Sequence, residues 1–234
     1  MKVFKKIRRS LIDKKNLKRY LLYAVGEILL VMIGISLAFQ LDNWNENQLK
    51  EDTEISYYQN IQDQMADDKI LIVEQVQFNN RYMAEFKYAN KILEANDRSK
   101  MDTLGLIIRN LTQYSDFDKK GNIYETLVNS GEVKLLRNLT IVNSIRELEE
   151  KYNYANRMEN IHYDAVIKYV IPATNPNVKL SSGKIYKPEN LFTYEFQNLI
   201  FSLLQIMTEK DKVYNEVLTE IKIITELINI ELDK

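Results

Sequence analysis

The chain has 234 residues, a formal net charge of −1, six glycines, three prolines and no cysteine. The lack of cysteine excludes disulfides, thiolate metal sites and cysteine nucleophiles. So few glycines and prolines favour long helices over a turn-rich β fold, and the length suits one soluble domain with its own core.

A single apolar segment dominates the N-terminal part of the sequence. Residues 20–41 read YLLYAVGEILLVMIGISLAFQL, in which Glu27 is the one charged side chain. At about 1.5 Å per residue, a helix of this length spans the roughly 30 Å of hydrocarbon in a bilayer. We therefore predict a basic tail over residues 1–19, a transmembrane helix over residues 20–41 and a helical domain over residues 42–234.

The charge distribution predicts how the chain is oriented. Residues 1–41 carry nine Lys or Arg and two carboxylates, which leaves a net charge of −8 for the rest of the chain. The positive-inside rule then predicts a single-pass protein of the cell inner membrane, with a cytoplasmic N-terminus and a periplasmic C-terminal domain. We expect the tail to contact anionic lipid and not nucleic acid. The alternative is a signal peptide cleaved before Phe39. The charge of Glu27 inside the apolar run and the length of that run argue against cleavage.

One face of the predicted span differs from the others. Gly34 and Ala38 form a small-xxx-small pair that allows another helix to approach closely. The predicted helix-packing residues at helical spacing on this face are Tyr23, Glu27, Gly34 and Ala38. For Glu27 three alternatives stay open: a hydrogen bond in the headgroup region, a helix–helix contact, or a proton-carrying role.

The residues after the span are typical of a membrane surface. Trp44, the single tryptophan, is predicted to anchor the chain at the interface, where indole rings concentrate. The asparagines on either side of it either cap a helix break at the surface or bridge to a neighbouring chain.

Residues 47–97 contain neither Gly nor Pro and show an apolar stripe at helical spacing, which predicts one long helix. Gln62, Lys69 and Asn79 interrupt this stripe. Such polar residues either fix the register of a parallel coiled coil or mark wet positions beside the core.

The middle of the chain is predicted to be a series of short elements. These are a turn at residues 96–100, a helix over 101–114, a charged loop over 115–120 and a helix over 123–129. Ser130 and Gly131 then form a corner, because a glycine just after a helix is a common stop signal. A chain reversal is the favoured interpretation of this corner, and a ligand site is the alternative.

The C-terminal part is predicted to contain two further helices. The first covers residues 139–170, and prolines at 172 and 176 end it. A loop over 171–187 follows, in which Ser181-Ser182-Gly183 can form the turn of a short β-hairpin. The last helix, from Pro188 or Thr193 to Glu231, is long enough to run back beside the 47–97 helix. The predicted fold class is all-α: one transmembrane helix followed by an extracytoplasmic antiparallel helical bundle with two long helices.

The sequence offers little catalytic chemistry. His162 is the one histidine, and Glu159 three residues earlier could share a metal with it, but bundle di-iron sites need further ligands. We predict that His162 lies on a helix surface or at the edge of the core. Phosphate-binding glycine loops and nucleophile elbows are missing from the sequence. We therefore expect no cofactor, no metal and no enzymatic activity.

Two segments together resemble a known family. They are KRYLLYAVGEILLVMIGISLAFQLDNWNEN, residues 18–47, and ETLVNSGEVKLLRN, residues 125–138. They are similar to an uncharacterised family of single-pass membrane proteins from Bacteroidetes-type bacteria, with a YAxGEI…IGI…WNE span signature. The resemblance implies a retained anchor, since the signature continues across the possible cleavage site. The family has no established activity to carry over, so the resemblance supports the topology and leaves the function open.

These observations favour a non-enzymatic, membrane-anchored assembly or scaffold protein. Its expected partners are the lipid bilayer and either a second copy of the chain or another membrane protein, and no nucleic acid. Two alternatives stay open besides an enzyme. One is a ligand-sensing helical domain that signals through a partner, and the other is an accessory subunit of an ion-driven transport or motor complex that uses Glu27.

Overall fold

The computed structural model describes residues 17–119 and 121–233, so most of the predicted basic tail lies outside the described residues. The chain divides into two compact units, up to Glu54 and from Ile55 onward. The helices are Leu17–Glu94 (α1), Met101–Asn110 (α2), Ile123–Ser130 (α3), Leu139–Ala165 (α4), Ile171–Thr174 (α5) and Tyr194–Leu232 (α6). The strands Val178–Lys179 (β1) and Lys184–Ile185 (β2) form one antiparallel hairpin. The predicted all-α fold is confirmed.

The first unit consists of the N-terminal part of α1. Among the described residues, one helix near the N-terminus is long and apolar enough to cross a membrane. Large side chains on every side of its apolar segment are exposed, including Leu22 at 73% and Phe39 at 64%. The apolar segment is therefore not buried within the described part of the chain, as the core helix of a soluble domain would be.

The helix break considered after the apolar segment is wrong, because α1 continues through residues 43–47. No Gly or Pro occurs between residues 34 and 105, and asparagine is only mildly unfavourable inside a helix. Lys50 also forms an ion pair with Glu46, one turn earlier, at 2.6 Å. Trp44 lies on this helix with its side chain exposed.

In the second unit, α1 and α6 run antiparallel, as predicted for the two long helices. Gln62 Nε2 donates to the Thr225 carbonyl at 3.4 Å, and Asn79 Nδ2 donates to the Met207 carbonyl at 2.8 Å. The residue numbers therefore rise along α1 as they fall along α6. Lys69, another of the polar residues in the stripe, is exposed, as expected for a wet position.

α4 completes the bundle of this unit, and it also runs antiparallel to α6. Lys151 and Glu220 form an ion pair at 2.8 Å, and Tyr154 donates to Glu209 at 3.0 Å further along. Two apolar clusters fill the bundle. One contains Tyr58, Ile61, Met65, Ile72, Phe117, Leu127, Ile145, Leu148, Tyr152, Val217, Ile221 and Ile224. The other contains Phe86, Ala89, Leu93, Leu104, Ile108, Val170, Val178, Leu191, Phe196, Ile200, Leu203 and Met207.

The hairpin predicted after α5 is present, and its turn lies against α2. Gly183 has a φ of 72°, a backbone conformation that favours glycine. A Cβ added at Gly105 of α2 would lie 1.8 Å from the Gly183 carbonyl oxygen. The two backbones therefore touch at a point where neither side tolerates a side chain.

Two predicted helix ends are wrong. α2 ends at Asn110 and not at residue 114, because the Leu111 and Gln113 amides bond to carbonyls three residues back and tighten the last turn. Pro172 does not end the 139–170 helix. A π-helical turn at Val166–Val170 precedes α5 and widens the helix. The widened turn accommodates the proline ring, which would clash with the preceding turn of a regular α-helix.

Candidate functional site

The predicted helix-packing residues all lie on α1, where the helical spacing places them on one face. Tyr23 and Glu27 are half-buried, whereas Gly34 and Ala38 are exposed. No atom of the described residues lies within 4 Å of a Cβ built at Gly34. This face can therefore accept a second helix at short range, and its packing role stays a prediction, as does the role of Trp44 as an interface anchor.

The corner after α3 has a specific geometry. Gly131 adopts a φ of 74°, and its amide bonds to the carbonyls of Leu127 and Val128. The Ser130 hydroxyl lies 3.2 Å from Glu132 Oε2, to which the Tyr57 hydroxyl also donates at 2.8 Å. The corner is thus tied to α1 through one carboxylate.

A cleft of about 580 Å³ opens beside this corner. Its lining is Tyr57, Asn60, Asp63, Gln64, Asp67, Gly121, Asn122, Ile123, Thr126, Leu127 and Glu132. Three of these residues are acidic, and none is Lys or Arg. The volume lies within the roughly 300–1,000 Å³ typical of small-molecule sites.

A second polar site lies inside the bundle, between α4, α6 and the segment after α2. The Lys210 side chain is fully buried, and its ammonium donates to the Ser115 carbonyl at 2.7 Å. It also lies 3.4 Å from His162 Nδ1, which must accept because an ammonium only donates. His162 is fully buried too, so the prediction of a surface or core-edge histidine is wrong.

Glu159 is the acidic member of this buried cluster. It accepts hydrogen bonds from the Tyr214 hydroxyl and, at 3.0 Å, from the Phe117 amide. The Ser115 hydroxyl lies 3.2 Å from the Tyr214 oxygen. When the side-chain nitrogen of Asn156 is turned towards Glu159 and Phe117, it donates to Glu159 Oε2 and to the Phe117 carbonyl.

Burial shifts the protonation equilibria of all three ionisable groups. It raises the pKa of Glu159 to about 7, although the Tyr214 hydrogen bond and the Lys210 charge oppose this. It lowers the pKa of Lys210 to about 8, against the attraction of Glu159 and Asp116. Burial, with the nearby Lys210 charge, also lowers the pKa of His162 to about 3, so this imidazole is neutral at physiological pH.

The buried cluster holds a segment that has no helix or strand of its own. Residues 113–119 carry backbone groups that need partners once buried. Lys210 and Glu159 supply them at Ser115 and Phe117, and Gln75 Oε1 accepts from the Asp116 amide at 3.1 Å. None of the cluster's side chains lines the cleft beside the corner. The hydrogen bonds of the cluster position a segment of chain.

A metal at Glu159 and His162 receives no support from the geometry. The described residues contain no group of three or more His, Cys, Asp or Glu side chains able to hold an ion. His162 Nδ1 faces the Lys210 ammonium and not a carboxylate.

Lys210, Tyr214 and Ser115 were not predicted from the sequence as site residues. A signal was present for the first two, because residues 203, 207, 210, 214 and 217 share one face of α6 at helical spacing. A lysine on an otherwise apolar face is either at its edge or buried with a partner. Ser115 lies in a loop, where periodicity gives no indication of burial.

Comparison with known proteins gives one finding. A family model of unknown function, DUF6090, matches residues 27–204. No curated protein and no solved structure matches the chain. The matched region begins at Glu27, within the apolar segment, and extends into α6. It covers more than half of the chain, which therefore belongs to DUF6090, a family of unknown function.

Proposed function

We propose that the chain is a membrane-anchored, non-enzymatic assembly protein, single-pass and with its helical domain in the periplasm. The observation that carries the proposal is the apolar part of α1, which is exposed among the described residues and contains one carboxylate. Soluble proteins rarely expose an apolar surface of this length. In lipid the same surface is covered by acyl chains, and the helix satisfies its own backbone hydrogen bonds.

The face that contains Glu27, Gly34 and Ala38 is the proposed assembly surface within the membrane. Small residues allow close packing of helices there, and a carboxylate gains most when a neighbouring helix supplies a donor. The partner is either a second copy of the chain or another membrane protein. The Bacteroidetes-type span signature belongs to the same proposal, since its Glu27 and Gly34 lie on this face.

The test compares Gly34→Leu with Ser36→Leu in the full-length chain. Both replace a small residue by leucine, but Ser36 lies on the opposite face of α1. We expect both variants to stay in the membrane after alkaline carbonate extraction. Only Gly34→Leu should lose partners in a pull-down from mild detergent and show a smaller complex. An unchanged complex in Gly34→Leu, or release of the parent chain by carbonate, would contradict the proposal.

The cleft beside the corner supports a second candidate function, a ligand-sensing domain that signals through a partner. Its volume and its convergent polar side chains suit a small ligand. Thr126 lies in its lining and is exposed, so Thr126→Trp would fill the cleft without disturbing the core. A sensor would lose its response in this variant while the complex stays intact. An assembly protein would be unaffected.

A further inference from the structure

A groove of about 550 Å³ runs between α4 and α6 on the second unit. Its apolar lining consists of Ile161, Ala165, Tyr169, Leu199, Leu203 and Ile206. Ile161 and Tyr169 are 43% and 63% exposed, although both are large. The lining residues recur every three or four positions on both helices, which is the pattern of a surface that packs against further helices.

The two walls of the groove, formed by α4 and α6, carry different charged residues. Lys168 and Asp164 lie on the α4 side, and Glu195 lies on the α6 side. Lys168 and Asp164 form an ion pair at 2.7 Å, and both side chains are more than half exposed. Such an exposed pair contributes little, so Lys168 can take another carboxylate partner at small cost.

Lys168 and Glu195 lie at the same end of the groove. α4 and α6 are antiparallel, so the late residues of the 139–170 helix adjoin the first turn of α6, where Glu195 lies. At the other end Ile161 and Ile206 face each other across the groove without charges.

We propose that this groove is the contact surface between two copies of the chain, related by a two-fold axis parallel to α4 and α6. Rotation about this axis lays α4 of one copy over α6 of the other at the same height. Lys168 of each copy then faces Glu195 of the other, and the ion pair forms twice. An isologous contact requires such self-complementarity.

The pattern of charges selects a second copy over an unrelated helix. A foreign helix would need only the apolar lining, whereas Lys168 on the α4 wall and Glu195 at the same height on the α6 wall match the groove itself. The contact joins two helices from each copy into a four-helix arrangement that covers Ile161 and Tyr169. The inference rests on the proposed function in one respect: anchoring in one membrane raises the local concentration of the copies.

A charge exchange tests the contact in the full-length chain in mild detergent. Glu195→Lys alone places lysine opposite Lys168 twice, and Lys168→Glu alone places glutamate opposite Glu195 twice. We expect each variant by itself to dimerise roughly tenfold or more weakly. A mixture of the two should recover dimerisation, because both contacts then join Lys to Glu. Differently tagged chains measure this by co-purification.

Cysteine cross-linking with a short bismaleimide, which bridges two thiols without oxidation, locates the contact independently, because the natural chain has no cysteine. One tagged population carries Lys168→Cys and another carries Glu195→Cys, so a bond between the two tags must join different chains. The control pairs Glu195→Cys with Lys222→Cys, a highly exposed position well along α6 from the groove. We expect a cross-link in the first mixture and none in the second.

Tyr169→Ser provides a test of the apolar part, with Tyr186→Ser as the matched control at a similarly exposed tyrosine outside the groove. Loss of the 168–195 cross-link in Tyr169→Ser alone supports the contact. The contact is overturned if the mixture of Lys168→Cys and Glu195→Cys gives no cross-link, or if the Lys222→Cys control gives an equal one. The Gly34→Leu variant separates the two proposals. If Gly34→Leu reduces the complex but the parent span gives no 168–195 cross-link, only the groove contact is refuted. If the 168–195 cross-link forms but Gly34→Leu leaves the complex unchanged, only the span contact is refuted.

Discussion

The buried cluster makes the pH dependence of stability a sharp test of the structure. The pKa of Glu159 is about 7 in the folded chain against an ordinary 4.5, so its proton uptake stabilises the fold as pH falls through 7. This contribution, about 3 kcal/mol, is fully present below pH 4.5. The pKa of His162 moves the other way, to about 3 from 6.5. Its contribution, about 5 kcal/mol, is present above pH 6.5 and is lost as pH falls towards 3.

The two effects cancel over a defined window. Between pH 6.5 and 4.5 the folded chain has gained a proton on Glu159, and the unfolded chain has gained one on His162. The two groups together therefore leave the free energy of unfolding flat in this window. Lys210 is protonated in both states there, because its lowered pKa is still about 8. Removal of either titrating group should therefore make the free energy of unfolding depend on pH in this window, through the group that remains.

The experiment measures unfolding by urea in the full-length chain in mild detergent, followed by far-UV circular dichroism. Glu159→Gln keeps an acceptor for the Phe117 amide but cannot titrate. Relative to the parent chain, we expect it to lose roughly 3 kcal/mol between pH 6.5 and 4.5. His162→Gln should gain a similar amount over the same range. Identical profiles for Glu159→Gln and the parent would refute the assignment of these groups as buried and oppositely shifted.

Three further predictions concern single positions. Gly105→Ala should lower the free energy of unfolding by about 1–3 kcal/mol and increase hydrogen exchange in the hairpin, because the new methyl group meets the Gly183 backbone; no effect would contradict the close approach. Gly131→Ala should cost about 1 kcal/mol in urea unfolding because of its φ of 74°, and Gly131→Asn should cost less. Glu27→Gln should preserve complex size on detergent gels if the carboxylate packs against a helix. Loss of ion-driven transport by the complex, with assembly intact, would instead indicate ion coupling.

Periodicity accounts for most of what the sequence predicted about the fold. Long amphipathic stretches predicted α4 and α6, because apolar side chains at helical spacing require a partner surface. The predicted helix ends and breaks were wrong where the local conformational preference of a residue competes with the structure around it. Pro172 ends a helix by local rules, yet the π-helical turn before it makes room for its ring. The asparagines after the span are likewise helical, because the residues on both sides of them belong to the same helix.

The buried cluster could not be predicted in the same way. A polar residue in a stripe indicates either a wet position or a buried group with a partner, and the sequence does not say which. Lys69 and Asn79 illustrate this, since the first is exposed and the second is buried with its amide bound to α6. For Lys210 the decisive partner is the carbonyl of Ser115, which is far away in sequence and in a loop.

The interior of the bundle and the cleft beside the corner are connected through named contacts. The Phe117 ring, held by the hydrogen bond of its amide to Glu159, packs on Tyr152 with ring centroids 5.4 Å apart. The Tyr152 hydroxyl donates to Asp68 at 3.1 Å, and Gln64 bonds both to Asp68 and to the Gly121 carbonyl in the cleft. Packed and hydrogen-bonded groups therefore run from the buried cluster to the wall of the cleft. A ligand or partner that binds the cleft is expected to alter the titration of Glu159, because coupling between two sites acts in both directions.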